Sequence, residues 1–157
     1  MKTLVVGWGN PIAGDDAVGL AAAEAVAAQA AARRDLQVIT TSHGGYRLAE
    51  RALGFDRVVV LDAHIRAEED EEPLQVGRIN PADLNVPSTA RHDGSLIDAF
   101  RALRALDADD LPKEIVLISV PIDAPTDWSD ALSPAAQAAS ERLAQAALRE
   151  LEGIPVG

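Results

Sequence analysis

The sequence contains no cysteine, few aromatic residues and far fewer basic than acidic side chains. Without cysteine, disulfides, thiolate metal sites and cysteine nucleophiles are excluded. With 14 Lys and Arg against 25 Asp and Glu, the net charge is −11, which argues against nucleic acid and anionic membrane surfaces as partners, since both need a basic footprint. No apolar run approaches a membrane span, and the glycine-broken run near the start is too short for a signal peptide, so we expect a soluble, cytoplasmic protein.

Three common ligand-binding or catalytic signatures are also missing. Gly7, Gly9 and Gly14 do not have the dinucleotide-binding spacing, because the third glycine comes too late. No glycine-rich loop ends in Lys-Ser or Lys-Thr, which argues against a phosphate-binding P-loop. No serine has the context of a nucleophile elbow.

The pattern of apolar residues predicts one domain over residues 1–157, with 153–157 as a flexible tail. Short apolar runs alternate with longer helical patterns, which predicts a three-layer α/β/α sandwich around a mostly parallel, twisted sheet of about five strands. The predicted strands are 3–6, 36–41, 57–61, 74–79 and 114–120, and the predicted helices are 16–33, 46–53, 94–106 and 134–151. Strand 74–79 follows a loop without a crossover helix, so we predict an antiparallel edge strand there.

The turn after the first strand is the most informative segment. The apolar run 3–6 is followed by Gly-Trp-Gly-Asn-Pro at 7–11 and by Gly-Asp-Asp at 14–16, where a helical pattern begins. In doubly wound sheets this turn usually cradles a phosphate at a helix N-terminus. Two carboxylates would repel phosphate, so we predict that the turn handles a cation or a proton. One residue suffices as a helix cap, and we assign the cap to Asp15 and the ligand role to Asp16.

Three polar residues are predicted to lie where parallel strands end, which is where open α/β sheets bind ligands. Asp16 follows the first strand, Asp62 ends the apolar run 58–61, and His92 lies in the loop before helix 94–106. Two carboxylates and an imidazole suit nickel, zinc, iron or manganese better than calcium or copper(I).

Alternative interpretations of these residues stay open. Asp62 can bond its own turn, and His92 can be an exposed loop residue. His64 lies two residues after Asp62 and is an outside candidate for a fourth ligand, with an exposed loop position as the alternative. His43 precedes a glycine pair and is interpreted as structural, although that pair can also let the backbone approach a substrate.

These motifs resemble those of the hydrogenase maturation endopeptidases, which remove the C-terminal extension from the large subunit of nickel-iron hydrogenases after nickel insertion. The resemblance covers nearly the whole chain. It includes the opening segment 7–19, the glycine pair 44–45 with the block 56–63, the histidine at His92, and Trp128 with Leu-Ser-Pro at 132–134 before the last helix.

The resemblance implies that Asp16, Asp62 and His92 bind nickel, the same trio that position alone suggests. It further implies that the precursor presents this nickel and that the large-subunit precursor is the partner. Our own hypothesis for the mechanism is that Asp16 or Asp62 serves as the general base. Two departures from the family pattern concern Ala17, where the family often has glycine, and Arg91, which places a cation beside His92.

Two other functions fit the same residues. The first is a non-catalytic, nickel-dependent checkpoint that docks on the large subunit. This function predicts that the nickel-loaded precursor is bound without a change in its mass. The second is a small-molecule hydrolase or nucleotide-binding domain on a similar scaffold, which predicts thermal stabilisation by a nucleotide.

Overall fold

The computed structural model describes residues 1–69, 71–81 and 93–157, with the side chains of 93–95 left aside. Its strands are β1 Thr3–Trp8, β2 Leu36–Thr41, β3 Arg57–Ile65, β4 Gln75–Ile79 and β5 Glu114–Ile122. Its helices are α1 Val18–Gln29, α2 Tyr46–Ala52, α3 Asp93–Ala105 and α4 Pro134–Leu151, with a 3-10 turn at Gly14–Ala17 before α1. No helix within these residues is both long and apolar enough to cross a membrane.

The five strands form one sheet in the order β2-β1-β3-β5-β4. All neighbouring strands are parallel except β4, which pairs antiparallel with β5 at the edge of the sheet. Helices α1 and α4 contact each other, as do α2 and α3, and each pair shares a hydrophobic core with one face of the sheet. The predicted three-layer sandwich and the predicted antiparallel edge strand are confirmed.

Strand alternation divides the core into two halves. In β3, Val59 and Leu61 pack toward α1 and α4, whereas Val58 and Val60 pack toward α2 and α3. Continuing this alternation, even-numbered residues of β3 after Leu61 lie on the face of α2 and α3. That face therefore receives the polar residues near the carboxyl end of the strand.

Three strands extend further than predicted. The predicted strands ended where a glycine, an aspartate or a proline interrupts the apolar run, because strands disfavour these residues. β1 continues through Gly7 to Trp8, β3 continues through Asp62 to Ile65, and β5 continues through Pro121 to Ile122. Pro121 is tolerated because β4 pairs with β5 only as far as Ser119, so β5 has one neighbour beyond that point. The expectation that Asp62 ends its strand is wrong.

The amino-terminal edge of the sheet contains a buried cluster of charges. The carboxylate of Glu150 on α4 is 1% exposed and accepts hydrogen bonds from both Arg57 and Arg78. The same guanidinium groups contact Glu114 at 2.9 and 3.3 Å. Burial raises the pKa of Glu150, but hydrogen bonds from Arg78 and the Val156 backbone N–H, together with the positive charges, outweigh it, so its net pKa is lowered.

Val156, in the tail 153–157, contacts this cluster. The N–H of Val156 donates to Oε1 of Glu150 at 2.8 Å, and its carbonyl accepts from Nη2 of Arg78 at 3.0 Å. The flexibility expected of this tail stays a prediction.

Candidate functional site

The turn between β1 and α1 is shaped by Asn10. Its side-chain oxygen accepts from the N–H of Ile12 at 3.1 Å, which closes an Asx turn. Its own N–H donates to Oδ2 of Asp16 at 3.2 Å. The carboxylate of Asp16 is thereby directed back toward the start of the turn. Helix α1 starts two residues later, at Val18, with Ala17 as an N-cap that makes no side-chain bond.

Glycines bring this turn against the ends of two central strands. A Cβ atom on Gly9 would lie 2.2 Å from the backbone oxygen of Asp16, so only glycine fits there. A Cβ on Gly19 would lie 2.3 Å from the oxygen of Leu61 and 2.6 Å from that of Trp8. Because α1 approaches so closely, the 3-10 turn that contains Asp16 contacts β3, the strand that contains Asp62.

Asp15 does not cap the first helix, and that prediction is wrong. Its two carboxylate oxygens accept from the N–H of Ser133 at 2.8 Å and from its hydroxyl at 2.7 Å. Ser133 is the N-cap of α4, as predicted, and its Oγ accepts from the N–H of Ala136 at 3.2 Å. The positive end of α4 favours a carboxylate at this place. No local pattern in the sequence indicates this contact, because the two residues are 118 positions apart.

Asp62 lies on the face of the sheet that α2 and α3 cover. It is 9% exposed, and its Oδ1 accepts from the N–H of Ala63 at 2.8 Å. Its partner in the register of β5 is Ser119. Asp62 is therefore a nearly buried carboxylate within a strand, three residues before the strand ends.

His64 follows on the same face of β3 and bonds to β5. Its Nδ1 is 2.9 Å from Oγ of Ser119, and its Nε2 is buried. Since Ser119 is opposite Asp62 and not opposite His64, this bond tilts the imidazole back along the strand toward Asp62. His64 is thus part-buried and held by Ser119, and the alternative of an exposed loop position is wrong.

The glycine pair near His43 makes room for the side chain of Trp8. A Cβ on Gly44 would lie 1.9 Å from Cζ2 of Trp8, so the indole packs directly on the Gly44 backbone. Gly45 is the N-cap of α2 with a φ of 60°, a conformation that favours glycine. The space beside the Gly44 backbone is therefore occupied by the indole of Trp8. The structural interpretation of His43 stays a prediction.

The turn with Asp16 and the strand with Asp62 meet at the carboxyl ends of β1 and β3, which are neighbours where the strand order reverses. His92 and Arg91 lie outside the described residues. Within 1–69, 71–81 and 93–157, no group of three His, Cys, Asp or Glu residues is placed to hold a metal ion. The three-ligand metal site stays a prediction.

A cavity of about 480 Å³ lies elsewhere. It is lined by Asn80, Pro81, Arg104, Leu111, Pro112 and Lys113. Lys113 directly precedes β5, so this cavity is at the amino-terminal edge of the parallel strands, opposite Asp16 and Asp62. It does not belong to the candidate site.

No family model matches the sequence, and no curated protein does. Solved structures match nearly the whole chain. The hydrogenase maturating endopeptidase HybD from E. coli has a TM-score of 0.70 at 22% identity, covering 98% of this chain and 94% of its own. The [NiFe] hydrogenase maturation protease HybD from Thermococcus kodakarensis has a TM-score of 0.70 at 23% identity, with 96% and 99% covered. The chain has the fold of the hydrogenase maturation endopeptidases.

A third neighbour is also a hydrogenase maturation protease. The [NiFe] hydrogenase maturation protease HycI from Thermococcus kodakarensis KOD1 has a TM-score of 0.65 at 21% identity, covering 96% of this chain and 92% of its own. The resemblance predicted from the sequence motifs is therefore confirmed at the level of the fold. At such identities a shared fold does not fix the chemistry, which has to be argued from the site.

Proposed function

We propose that this protein is an endopeptidase that removes the C-terminal extension of a nickel-iron hydrogenase large-subunit precursor after nickel insertion, and that it recognises the nickel held by that precursor. The observation that carries the proposal is the contact between the turn bearing Asp16 and the strand bearing Asp62, at the reversal point of a sheet with the maturation-endopeptidase fold. Nickel is a feature of the substrate in this proposal.

The donor chemistry supports metal recognition. Asp16 and Asp62 offer carboxylate oxygens, and His92 would add an imidazole, a combination that divalent nickel accepts. Asp62 is nearly buried, and an ionised carboxylate with so little exposure gains from a nearby cation. The precursor's nickel would supply that cation.

Binding the precursor through its metal would hold the scissile peptide bond beside the two carboxylates. Such positioning can supply a large part of the barrier reduction. We assign the general base to Asp16 or Asp62: one carboxylate takes a proton from a water, the hydroxide attacks the peptide carbonyl, and the proton passes to the leaving amine as the C–N bond breaks.

The test is the intact mass of a nickel-loaded precursor from the same organism, before and after incubation with this protein. We expect loss of a C-terminal peptide with wild type, and no loss with Asp16→Asn, Asp62→Asn or nickel-free precursor. Asp109→Asn, which removes an exposed carboxylate away from the site, serves as the matched control and should cleave normally.

Other results would favour other functions. Nickel-dependent complex formation without a mass change would replace the endopeptidase by the checkpoint. Full cleavage by Asp16→Asn and Asp62→Asn would refute the assigned residues. We propose a cytoplasmic location together with the activity, and fractionation of cells that express the protein tests it.

A further inference from the structure

An exposed surface borders the turn that bears Asp16. It comprises Ile12 and the irregular segment 123–131, and every one of these residues is exposed. We call this surface the acidic rim. It contains Trp128, which is 77% exposed and is one of only two tryptophans in the chain. A large aromatic side chain left in solvent beside a candidate site is a common mark of an interaction surface.

The rim is fixed to the turn by backbone hydrogen bonds. The N–H of Gly14 donates to the Ser129 carbonyl at 2.9 Å, and the N–H of Ser129 donates to the Ile12 carbonyl at 2.9 Å. The bonds from Ser133 to Asp15 anchor the segment that follows. A chain bound on the rim would therefore lie in a defined position relative to Asp16.

The charge of the rim is negative. It carries Asp123, Asp127 and Asp130, and Asp123 forms an exposed ion pair with Arg66 at 3.5 Å. Within the described part of the chain, neither Asp127 nor Asp130 forms an ion pair. The rim thus combines apolar side chains with two carboxylates available to a partner.

We infer that the acidic rim binds a stretch of the hydrogenase precursor, next to the scissile bond, that carries both apolar and basic side chains. This inference rests on the proposed function. Trp128 and Ile12 supply apolar contact, and the carboxylates of Asp127 and Asp130 favour Lys or Arg on the partner. Binding energy from groups remote from the reacting bond can serve to position that bond.

Charge argues against two other occupants. A second copy of this chain carries the same net charge of −11, so two acidic rims would repel each other. An anionic membrane surface would be repelled for the same reason.

The experiment compares matched pairs of variants in cleavage of the nickel-loaded precursor. Trp128→Ala is paired with Leu106→Ala, because Leu106 is 71% exposed and lies just after the end of α3, away from the turn. We expect Trp128→Ala to raise KM about 10-fold or more with kcat little changed, as for loss of an aromatic anchor. Leu106→Ala should leave both constants unchanged. Equal KM values for the two variants would overturn the inference.

A second pair of variants tests the contribution of the rim's negative charge. Asp127→Asn/Asp130→Asn should raise KM about 3-fold at low salt and flatten its salt dependence, while Glu24→Gln/Asp109→Asn should do neither. An unchanged salt dependence in the rim variant would refute the basic character of the partner.

A binding assay separates this inference from the proposed function. The Kd of the precursor is measured for Asp16→Asn with and without Trp128→Ala, so that no cleavage is needed. Weaker binding with Trp128→Ala supports the rim even if wild type never cleaves, whereas normal wild-type cleavage with equal Kd values refutes the rim alone. A wild-type dimer in sedimentation that Trp128→Ala abolishes would also overturn the inference, since the rim would then bind a second copy.

Discussion

Glu150 is the buried charge on which the amino-terminal edge of the sheet depends, and Glu150→Gln tests this directly. Its carboxylate is 1% exposed and is bound by Arg57, which is 11% exposed, and by Arg78, which is 37% exposed. The amide of glutamine has nearly the same shape but no charge, and its NH2 group would face guanidinium donors. Arg57 would then be left largely buried with half of its charge compensation removed.

The expected loss in the free energy of unfolding follows from these exposures. Breaking a buried ion pair by removing one partner costs roughly 3–5 kcal/mol. Arg57 keeps its contact with Glu114 at 2.9 Å, and Arg78 keeps partial access to water, so we expect the lower end, about 3 kcal/mol. With an m-value of about 2 kcal/mol per molar urea, the unfolding midpoint should fall by about 1.5 M.

The assay is urea unfolding followed by circular dichroism, with Glu141→Gln as the control. Glu141 is exposed on the same helix, so its substitution should move the midpoint by less than about 0.3 M. A loss below about 1 kcal/mol for Glu150→Gln at an unchanged m-value would show that the cluster does not stabilise the fold.

Acid provides an independent check on the same group. The folded-state pKa of Glu150 is lowered, so its ionised form contributes stability above its ordinary pKa of 4.5 and loses that contribution as pH falls through the folded-state value. Wild type should therefore lose stability more steeply than Glu150→Gln below about pH 4.5, and the two curves should converge in strong acid. If the difference in unfolding free energy between wild type and Glu150→Gln stayed constant with pH, ionisation of Glu150 would not be the source of the lost stability.

Three further single substitutions test contacts around the candidate site. Gly44→Ala would place a Cβ 1.9 Å from Cζ2 of Trp8, so we expect a displaced indole, seen as a change in near-ultraviolet circular dichroism, and a loss of roughly 1–3 kcal/mol of stability; an unchanged spectrum and midpoint would refute the packing. Asp15→Ala and Ser133→Ala should each cost about 1–2 kcal/mol. Because the two side chains bond each other, the double variant should lose clearly less stability than the sum of the two single variants. Additive losses would mean that the Asp15–Ser133 contact contributes nothing to stability.

Much of the fold was predictable because local patterns carry it. Continuous apolar runs identified the three central strands, β1, β3 and β5, and the Ser133-Pro134 start signal identified the first residue of α4 correctly. Strand 74–79 was recognised as antiparallel from the absence of a crossover helix before it, and the observed β4 pairs in that way. The predicted strands β3 and β5 were too short. Asp62 and Pro121 are residues that strands disfavour, yet both lie in paired positions between β3 and β5.

The proximity of the turn that bears Asp16 to the strand that bears Asp62 could be predicted, because parallel strands bring their carboxyl ends to one edge of the sheet. The individual side-chain contacts there could not be predicted. The packing of Trp8 on Gly44 could not be predicted, since it depends on how two distant loops meet. The same is true of the bond between His64 and Ser119, which joins different strands.

Asp15 and Asp16 show why sequence alone assigns such roles poorly. The two carboxylates are adjacent, yet one binds Ser133 at the start of α4 and the other accepts from the N–H of Asn10. The difference arises because a 3-10 turn precedes α1, so the cap position predicted for Asp15 falls on other residues. The two residues therefore have different roles. Asp15 binds the turn to the start of α4, and Asp16 lies in the turn that contacts β3. Loss of Asp15 should therefore disturb Asp16, and activity lost in an Asp15 variant would not by itself make Asp15 catalytic.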